Sequence, residues 1–226
     1  MSSDPVRQTF DEAAKRYDTI KVQIVPKVRE AERLVRSYIT FPKNQRIRIL
    51  ELGTGTGKWA SGVLREFPQA QYHGVDFSGP MLEVASERLK RSADRIILDN
   101  LDLNRQTPRG RFDLIYSAFT IHHIRDKGTL FKNLRNLLKP GGQFLYIDIT
   151  IAASPSLEAR FLENWKAFMR KSPWPNRKIK TIIDDHLEND IPETVEAQLA
   201  HLREARFRGY DLIWRHEKFA AFHAQR

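Results

Sequence analysis

The hydrophobic positions along the chain follow three successive patterns. Over residues 1–46 they recur every three or four positions, a spacing that predicts two amphipathic helices. Over residues 47–150 short apolar runs alternate with amphipathic stretches, which predicts strands and helices in turn. Residues 151–226 break the alternation and predict helices, followed by strands near 209–214 and 218–224. We expect a helical cap over 1–46, an α/β core over 47–151, a helical insert or lid over 152–207 and the final strands of the core sheet over 208–226.

The alternation of strands and helices determines the expected fold class. Parallel strands that are joined by crossover helices are buried on both faces, so each is a short apolar run such as Ile47–Leu52 or Phe112–Tyr116. The segment Lys139-Pro-Gly-Gly142 is typical of a helix end just before another strand. We therefore expect an α/β fold with a doubly wound, mostly parallel sheet of seven strands.

The segment Ile49-Leu-Glu-Leu-Gly-Thr-Gly-Thr-Gly-Lys58 carries the most specific chemical signal. A predicted strand runs into three glycines and then into a helix, whose N-terminus offers free N–H groups and the positive end of the helix dipole. A P-loop would need a glycine at position 52, which is Leu, and a hydroxyl residue at position 59, which is Trp. A dinucleotide site would need Gly-x-Gly-x-x-Gly, which is one residue longer.

Asp76 lies 19 residues after Gly57, at the predicted end of the next strand. A carboxylate at this place can accept two hydrogen bonds from the vicinal hydroxyls of a ribose. The alternative is a helix N-cap, which Asp or Ser at positions 76–78 would also provide. With the glycine loop at this distance, ribose binding is the favoured interpretation.

Several motifs, in order along residues 47–150, together resemble the class I SAM-dependent methyltransferases. Glu51-Leu-Gly-Thr-Gly-Thr-Gly57 resembles the family's motif I, and the N-terminal Phe10–Asp18 looks like the cap helix of its small-molecule enzymes. The other matching segments are Gly74–Ser78, Leu98–Leu103, Phe112–Ile124 and Leu138–Leu145.

The resemblance implies a Rossmann-like fold, S-adenosyl-L-methionine (SAM) as cofactor and in-line transfer of a methyl group to a small organic acceptor. It also implies that Asp99 and Asn100 hold the adenine, with Asp102 as the alternate acid. The expected cofactor contacts are Glu51, Gly53, Thr54, Gly55, Gly57, Asp76, Phe77, Met81, Asp99, Asn100, Leu101 and Ser117.

Three residues are candidates for catalysis. His122 follows the fourth predicted strand and titrates near neutral pH, Asp148 ends the fifth, and Tyr17 could reach the cofactor from the cap. Each also has a structural explanation, as a helix start, a strand-end cap or a core residue. The cluster His122-His123-x-x-Asp126 lacks further ligands at a fitting spacing, so we expect no metal site.

The C-terminal part resembles a subgroup with a helical insert after strand five, which includes the carboxy-SAM synthase of tRNA wobble-uridine modification. Arg206 stands where the subgroup has a glycine, so we expect the preceding helix to end without a left-handed residue. Lys180 stands where an arginine would meet the extra carboxylate, and lysine is a poorer bidentate partner. Ordinary SAM is preferred, and an RNA-modification enzyme that uses SAM or a carboxy-SAM relative is the alternative.

Composition and charge modify this picture only slightly. The chain has no cysteine, which excludes disulfides, thiolate metal sites and a cysteine nucleophile. Its net charge of +10 is spread along the sequence, so nucleic acid is not favoured as a partner. No apolar run approaches the roughly 20 residues that span a bilayer, and the start shows no secretory signal, so we expect a cytoplasmic protein without a membrane partner. One basic cluster, which we expect on a solvated loop, comprises Arg170, Lys171, Arg177, Lys178 and Lys180.

Overall fold

The structure, a computed structural model, describes residues 5–226, so residues 1–4 of the predicted cap lie outside the described residues. A central β-sheet organises the molecule. Its strands are β1 (Arg48–Leu52), β2 (Gln71–Asp76), β3 (Ile96–Asn100), β4 (Phe112–Ala118), β5 (Leu138–Ile151), β6 (Glu193–Thr194), β7 (Arg208–His216) and β8 (Phe219–Gln225).

Helices cover both faces of this sheet. They are α1 (Pro5–Ala13), α2 (Tyr17–Ile24), α3 (Val28–Ser37), α4 (Lys58–Glu66), α5 (Gly79–Leu89), α6 (Lys127–Leu137), α7 (Pro155–Met169), α8 (Asn176–Asn189) and α9 (Val195–Glu204). Short 3-10 helices occupy Ala14–Arg16, Lys90–Arg95 and Ile121–His123. Within residues 5–226, no helix has the length and apolar character needed to cross a membrane.

The strand order is β3-β2-β1-β4-β5-β8-β7, and the two-residue β6 pairs with β5 beside this path. The first five strands run parallel and β8 is antiparallel to both of its neighbours. The expected α/β fold with a mostly parallel sheet is confirmed. Since the strand order reverses between β1 and β4, a crevice opens at the carboxyl ends of these two strands.

Alternating side chains of the strands fill two separate hydrophobic cores. On β1, Ile49 lies in the core that α3, α4 and α7 cover, whereas Leu50 lies in the core that α6 and α9 cover. Both side chains are fully buried. The period of two residues along a strand explains this division, because successive side chains point to opposite faces of the sheet.

Some predicted elements differ from the observed ones. The first predicted helix is divided into α1 and α2 by the 3-10 turn Ala14–Arg16. The sequence pattern missed α8, whose buried stripe is short, and three residues of the basic cluster lie on this helix instead of a loop. Asp148 does not end its strand, because β5 continues to Ile151.

Arg206 closes helix α9 in a left-handed conformation, with φ of 64°. The Phe207 N–H donates to the Leu202 carbonyl and the Arg206 N–H donates to the Arg203 carbonyl, which is the hydrogen-bond pattern of a Schellman motif. The expectation that this helix ends without a left-handed residue is therefore wrong. Burial of Leu202 and Phe207 in one core holds the turn in place although the residue is not glycine.

We predict that Arg206→Gly stabilises the protein by about 0.5–1 kcal/mol, because glycine adopts the left-handed conformation without the steric cost of a Cβ. Arg203→Gly, three residues earlier in the same exposed helix end, should instead destabilise by about 1 kcal/mol. Urea denaturation of both variants measures the difference. Equal destabilisation by the two glycines would contradict the assignment.

Candidate cofactor and acceptor site

A cavity of about 500 Å³ opens at the carboxyl ends of β1, β2 and β4. Its walls come from the glycine loop between β1 and α4, the cap helices, the turn after β4 and the end of α8. Cavities of this size bind small organic ligands, and the switch point of a parallel sheet is their usual position. The crevice that the strand order predicts is therefore present as a pocket in this chain.

The glycine loop adopts a backbone conformation that side chains oppose. Gly53 and Gly55 have φ of 68° and 54°. A Cβ at Gly53 would lie 1.9 Å from Thr120 Oγ1, whereas a Cβ at Gly55 would meet no protein atom within 4 Å. Both glycines line the cavity, but Gly57 does not and packs against α5. The loop thus presents bare backbone at Gly55, where a ligand can approach closely.

Asp76 connects the glycine loop to the end of β2. Its Oδ2 accepts a hydrogen bond of 2.7 Å from the Gly55 N–H, and its Oδ1 accepts one of 2.9 Å from the Ser78 N–H. Burial raises the pKa of Asp76, and these hydrogen bonds offset part of that rise. The helix N-cap is Ser78, whose hydroxyl accepts from the Met81 N–H. Asp76 therefore keeps free lone pairs on the cavity wall.

Glu51 lies at the base of the loop in a buried polar group. The Tyr72 hydroxyl donates to Glu51 and in turn receives a hydrogen bond of 2.9 Å from Thr54. Burial raises the pKa of Glu51 to about 8, even though Tyr72 and the nearby Lys21 lower it. Lys21 forms an ion pair of 2.7 Å with Glu32, and both of these side chains line the cavity beside Glu51.

The other expected cofactor contacts divide into two groups. Phe77, Met81 and Leu101 line the cavity, together with the alternate acid Asp102. Asp99 lies outside the cavity wall: its carboxylate is half-exposed and pairs with His73 at 2.7 Å.

Two further expected contacts, Asn100 and Ser117, also do not line the cavity. The Asn100 side chain donates to the Asp76 carbonyl at 3.2 Å. Ser117 is fully buried and its hydroxyl donates to the Leu52 carbonyl at 3.3 Å. Both therefore support the backbone of the strand ends that shape the cavity.

The cap helices cover the cavity on the side that faces away from the strand ends. Arg88 of α5 bonds to Thr56 and Asp18, which also bond to each other at 2.7 Å, so the start of α2 is fixed to the glycine loop. Tyr17 lines the cavity, and burial raises the pKa of its hydroxyl, which keeps it protonated near neutral pH. Phe10 of α1 contacts Phe77 and Tyr17 by ring packing.

A group of histidines and carboxylates lies at the wall that the turn after β4 and the end of α8 form, called the far wall below. His122 Nδ1 pairs with Asp148 at 2.6 Å, and both side chains are buried behind the wall. Burial opposes protonation of His122, but Asp148 outweighs it and the pKa is raised. His123 does line the cavity, and burial lowers its pKa. A catalytic role of His122 or Asp148 stays a prediction. Because neither side chain lines the cavity, such a role would have to act through His123.

Asp190 is the member of this group that the sequence did not indicate. Its carboxylate lies 2.6 Å from His186 Nδ1 and 3.1 Å from His123 Nδ1. Burial would raise its pKa, but the surrounding imidazoles hold that pKa well below its ordinary value. Lys21 and Glu32 of the cap were missed for the same reason: only the fold brings them to the strand ends.

Comparisons with known proteins agree with this geometry. Residues 50–144 match a family described as a methyltransferase domain. Malonyl-[acyl-carrier protein] O-methyltransferase 1 of Ilyobacter polytropus is 33% identical over 141 residues, which cover 62% of this chain and 50% of that protein. The chain spans no more than half the length of the leading curated relatives that it matches.

Solved structures share the fold over nearly the whole chain. Phosphoethanolamine N-methyltransferase 2 of Haemonchus contortus, in complex with phosphomonomethylethanolamine and S-adenosylhomocysteine, superposes with a TM-score of 0.68 at 18% identity and covers 96% of this chain and 58% of its own. DhpI, in complex with SAM and HEP, gives a TM-score of 0.66 at 18% identity, with 100% and 99% coverage. The resemblance of the motifs is thus confirmed: the chain contains a match to a methyltransferase domain, and it shares the Rossmann-like fold of methyltransferases that were solved with SAM or S-adenosylhomocysteine.

Proposed function

We propose that this protein transfers the methyl group of SAM to a small organic acceptor by in-line displacement. The observation that carries the proposal is the position of Asp76 on the cavity wall, with both carboxylate oxygens fixed by backbone N–H groups. A fixed, buried carboxylate beside bare glycine backbone suits a ribose followed by a zwitterionic chain. It suits a pyrophosphate poorly, because two anionic groups would repel each other.

The residues on the cavity wall fit the successive parts of the SAM molecule. Asp76 would accept from the ribose hydroxyls, and Gly53 and Gly55 would lie against the methionine part, whose ammonium suits Glu51. Phe77, Met81 and Leu101 offer apolar surfaces for adenine. Asp102 replaces Asp99 as the acid near the adenine, since only Asp102 reaches the cavity.

Bound SAM supplies a methyl group on a cationic sulfur, so that the protein need not generate an electrophile. What the chain contributes is position and exclusion of water. Holding an acceptor in line can lower the barrier by about 7–11 kcal/mol relative to free reactants. The cap, fixed through Asp18, Thr56 and Arg88, encloses the space in which this alignment would occur.

The cavity supports a small, polar acceptor. Its acceptor end has Tyr17 as a neutral hydroxyl donor, Lys21 paired with Glu32, and the imidazole of His123. One relative is named for malonyl-acyl-carrier protein, and one solved structure contains a phosphorylated amine. Both of these compounds present small polar groups. Lys180, by contrast, is exposed, pairs with Asp184 and does not line the cavity, so this residue does not support a carboxy-SAM relative.

We predict that Asp76→Ala weakens SAM binding by at least about 100-fold, because two charge-assisted hydrogen bonds to the ribose are lost. The matched control is Asp99→Ala, which removes the acid at the end of the adjacent strand, outside the cavity. Isothermal titration calorimetry measures both, and thermal unfolding confirms that each variant is folded. Equal SAM affinity of the two variants would refute the ribose assignment.

Binding of SAM near neutral pH should release about one proton from Glu51. Its pKa of about 8 leaves the carboxyl mostly protonated in the free protein, and a cationic ligand beside it lowers that pKa. Titrations in two buffers of different ionisation enthalpy give the number of protons released. Glu51→Gln should release markedly fewer, and an unchanged count in this variant would assign the proton to another group.

Turnover separates the proposal from its rivals. With SAM and a panel of small acceptors that includes malonyl thioesters and phosphorylated amines, we expect formation of S-adenosylhomocysteine that Asp76→Ala abolishes. Activity on RNA alone, with affinity that falls steeply between about 50 and 200 mM salt, would instead identify an RNA-modification enzyme. SAM binding without turnover of any acceptor would indicate a sensing domain.

A further inference from the structure

We propose that His122, His123 and Asp190 bind a divalent transition metal ion of the zinc class at the far wall of the cavity. Each residue offers one ligand atom, and these atoms all lie within 4.8 Å of one another. Two imidazoles and one carboxylate are a common ligand set of catalytic zinc sites. The sequence pattern could not reveal this set, since Asp190 follows His123 by 67 residues.

The separations of the ligand atoms suit a single ion. His123 Nδ1 lies 3.1 Å from Asp190 Oδ1, and His122 Nε2 lies 3.8 Å from Asp190 Oδ2. Ligands that surround zinc tetrahedrally at about 2.0–2.2 Å are roughly 3.4 Å apart. Coordination of one ion therefore needs side-chain movements that bring ligand atoms now up to 4.8 Å apart to this spacing.

Hydrogen bonding within the cluster is incomplete. Both ring nitrogens of His123 are buried and make no hydrogen bond in the described part of the chain. The 3.1 Å approach to Asp190 thus lacks the alignment of a hydrogen bond. Buried polar atoms without partners are rare, and an ion bound by these nitrogens and the carboxylate would satisfy them.

Two of the three ligands are oriented by hydrogen bonds to residues outside the cluster, Asp148 and His186. His122 Nδ1 bonds to the fully buried Asp148 at 2.6 Å, which leaves Nε2 directed toward Asp190. His186 Nδ1 bonds to Asp190 Oδ2 at 2.6 Å, so that Oδ1 remains for a metal. Carboxylates behind metal-binding histidines fix the ring and its tautomer in known sites.

The backbone around the cluster is also fixed. Lys127 Nζ donates to the carbonyls of Ile124 and Ile191, at 2.8 Å and 2.6 Å. The Ile191 N–H donates to the His122 carbonyl at 2.8 Å. These bonds attach the segment after α8 to the 3-10 turn after β4. The ligands from two distant parts of the chain are therefore held together before any ion binds.

The site would have an open side toward the cavity. Three protein ligands leave at least one coordination position, and His123 and Ile191 are on the cavity wall. A water molecule or an oxygen of a hydroxyl, carboxylate or phosphate group would occupy that position. Metal binding itself does not depend on the proposed methyl transfer, whereas selection of an oxygen-bearing acceptor rests on it.

The test is zinc binding by the chelator-treated, full-length protein in the absence of SAM. We expect one equivalent of ZnCl₂ to bind, and CoCl₂ to give the visible absorption of a nitrogen- and oxygen-ligated Co²⁺ site. Asp190→Asn should weaken Zn²⁺ binding more than about 100-fold, and Asp148→Asn by about 10–100-fold, the usual cost of losing an outer partner. The matched control is Asp184→Asn, which removes a half-exposed acid on α8, the helix that ends just before Asp190, and this variant should bind like the parent.

Thermal unfolding with and without ZnCl₂ separates loss of the site from loss of the fold. Zn²⁺ should raise Tm of the parent and of Asp184→Asn but not of Asp190→Asn; if that variant does not fold, His123→Gln replaces it. No Zn²⁺ binding by the parent, or equal binding by Asp190→Asn and Asp184→Asn, would overturn the proposal. Because no SAM is present, failure here is distinguishable from failure of the proposed methyl transfer.

Discussion

The hydrogen bonds of Asp76 to Gly55 and Ser78 are the contacts on which the cavity depends. They connect the glycine loop to the end of β2 and place a buried carboxylate at the wall. Removing a carboxylate from water is costly unless hydrogen bonds or a ligand compensate. Two backbone N–H groups supply part of that compensation, and the remaining lone pairs face the cavity, where ribose hydroxyls would complete it.

The fold was largely predictable from the sequence, because its signals are local. Apolar runs such as Ile47–Leu52 and the glycine loop determine strands and turns within a few residues of themselves. Prediction failed where a distant contact decides the outcome. Helix α8 carries a short buried stripe that packs into the core it shares with α7, and Arg206 adopts a left-handed conformation because Leu202 and Phe207 are buried on either side of it.

The residues that line the cavity were predictable where they share one local unit and not where distant segments of the chain meet. Glu51, Gly55 and Asp76 belong to one strand–loop–helix–strand unit, β1 to β2, so their spacing in the sequence determines their positions. Lys21 and Asp190, in contrast, come from the cap and from the end of the insert, and no local pattern connects them to the sheet. At the end of β3, Asp102 lines the cavity whereas Asp99 does not, so the expected contact of Asp99 with adenine stays a prediction.

The cap and the insert therefore have one shared consequence: both bring charged side chains to a cavity that the core alone would leave open. Co-crystallisation with S-adenosylhomocysteine tests this account most directly. The account predicts electron density for the adenosyl group with its ribose hydroxyls at hydrogen-bond distance, about 2.6–3.0 Å, from the Asp76 carboxylate. Density for the nucleoside elsewhere in the molecule, or a ribose without contact to Asp76, would contradict it.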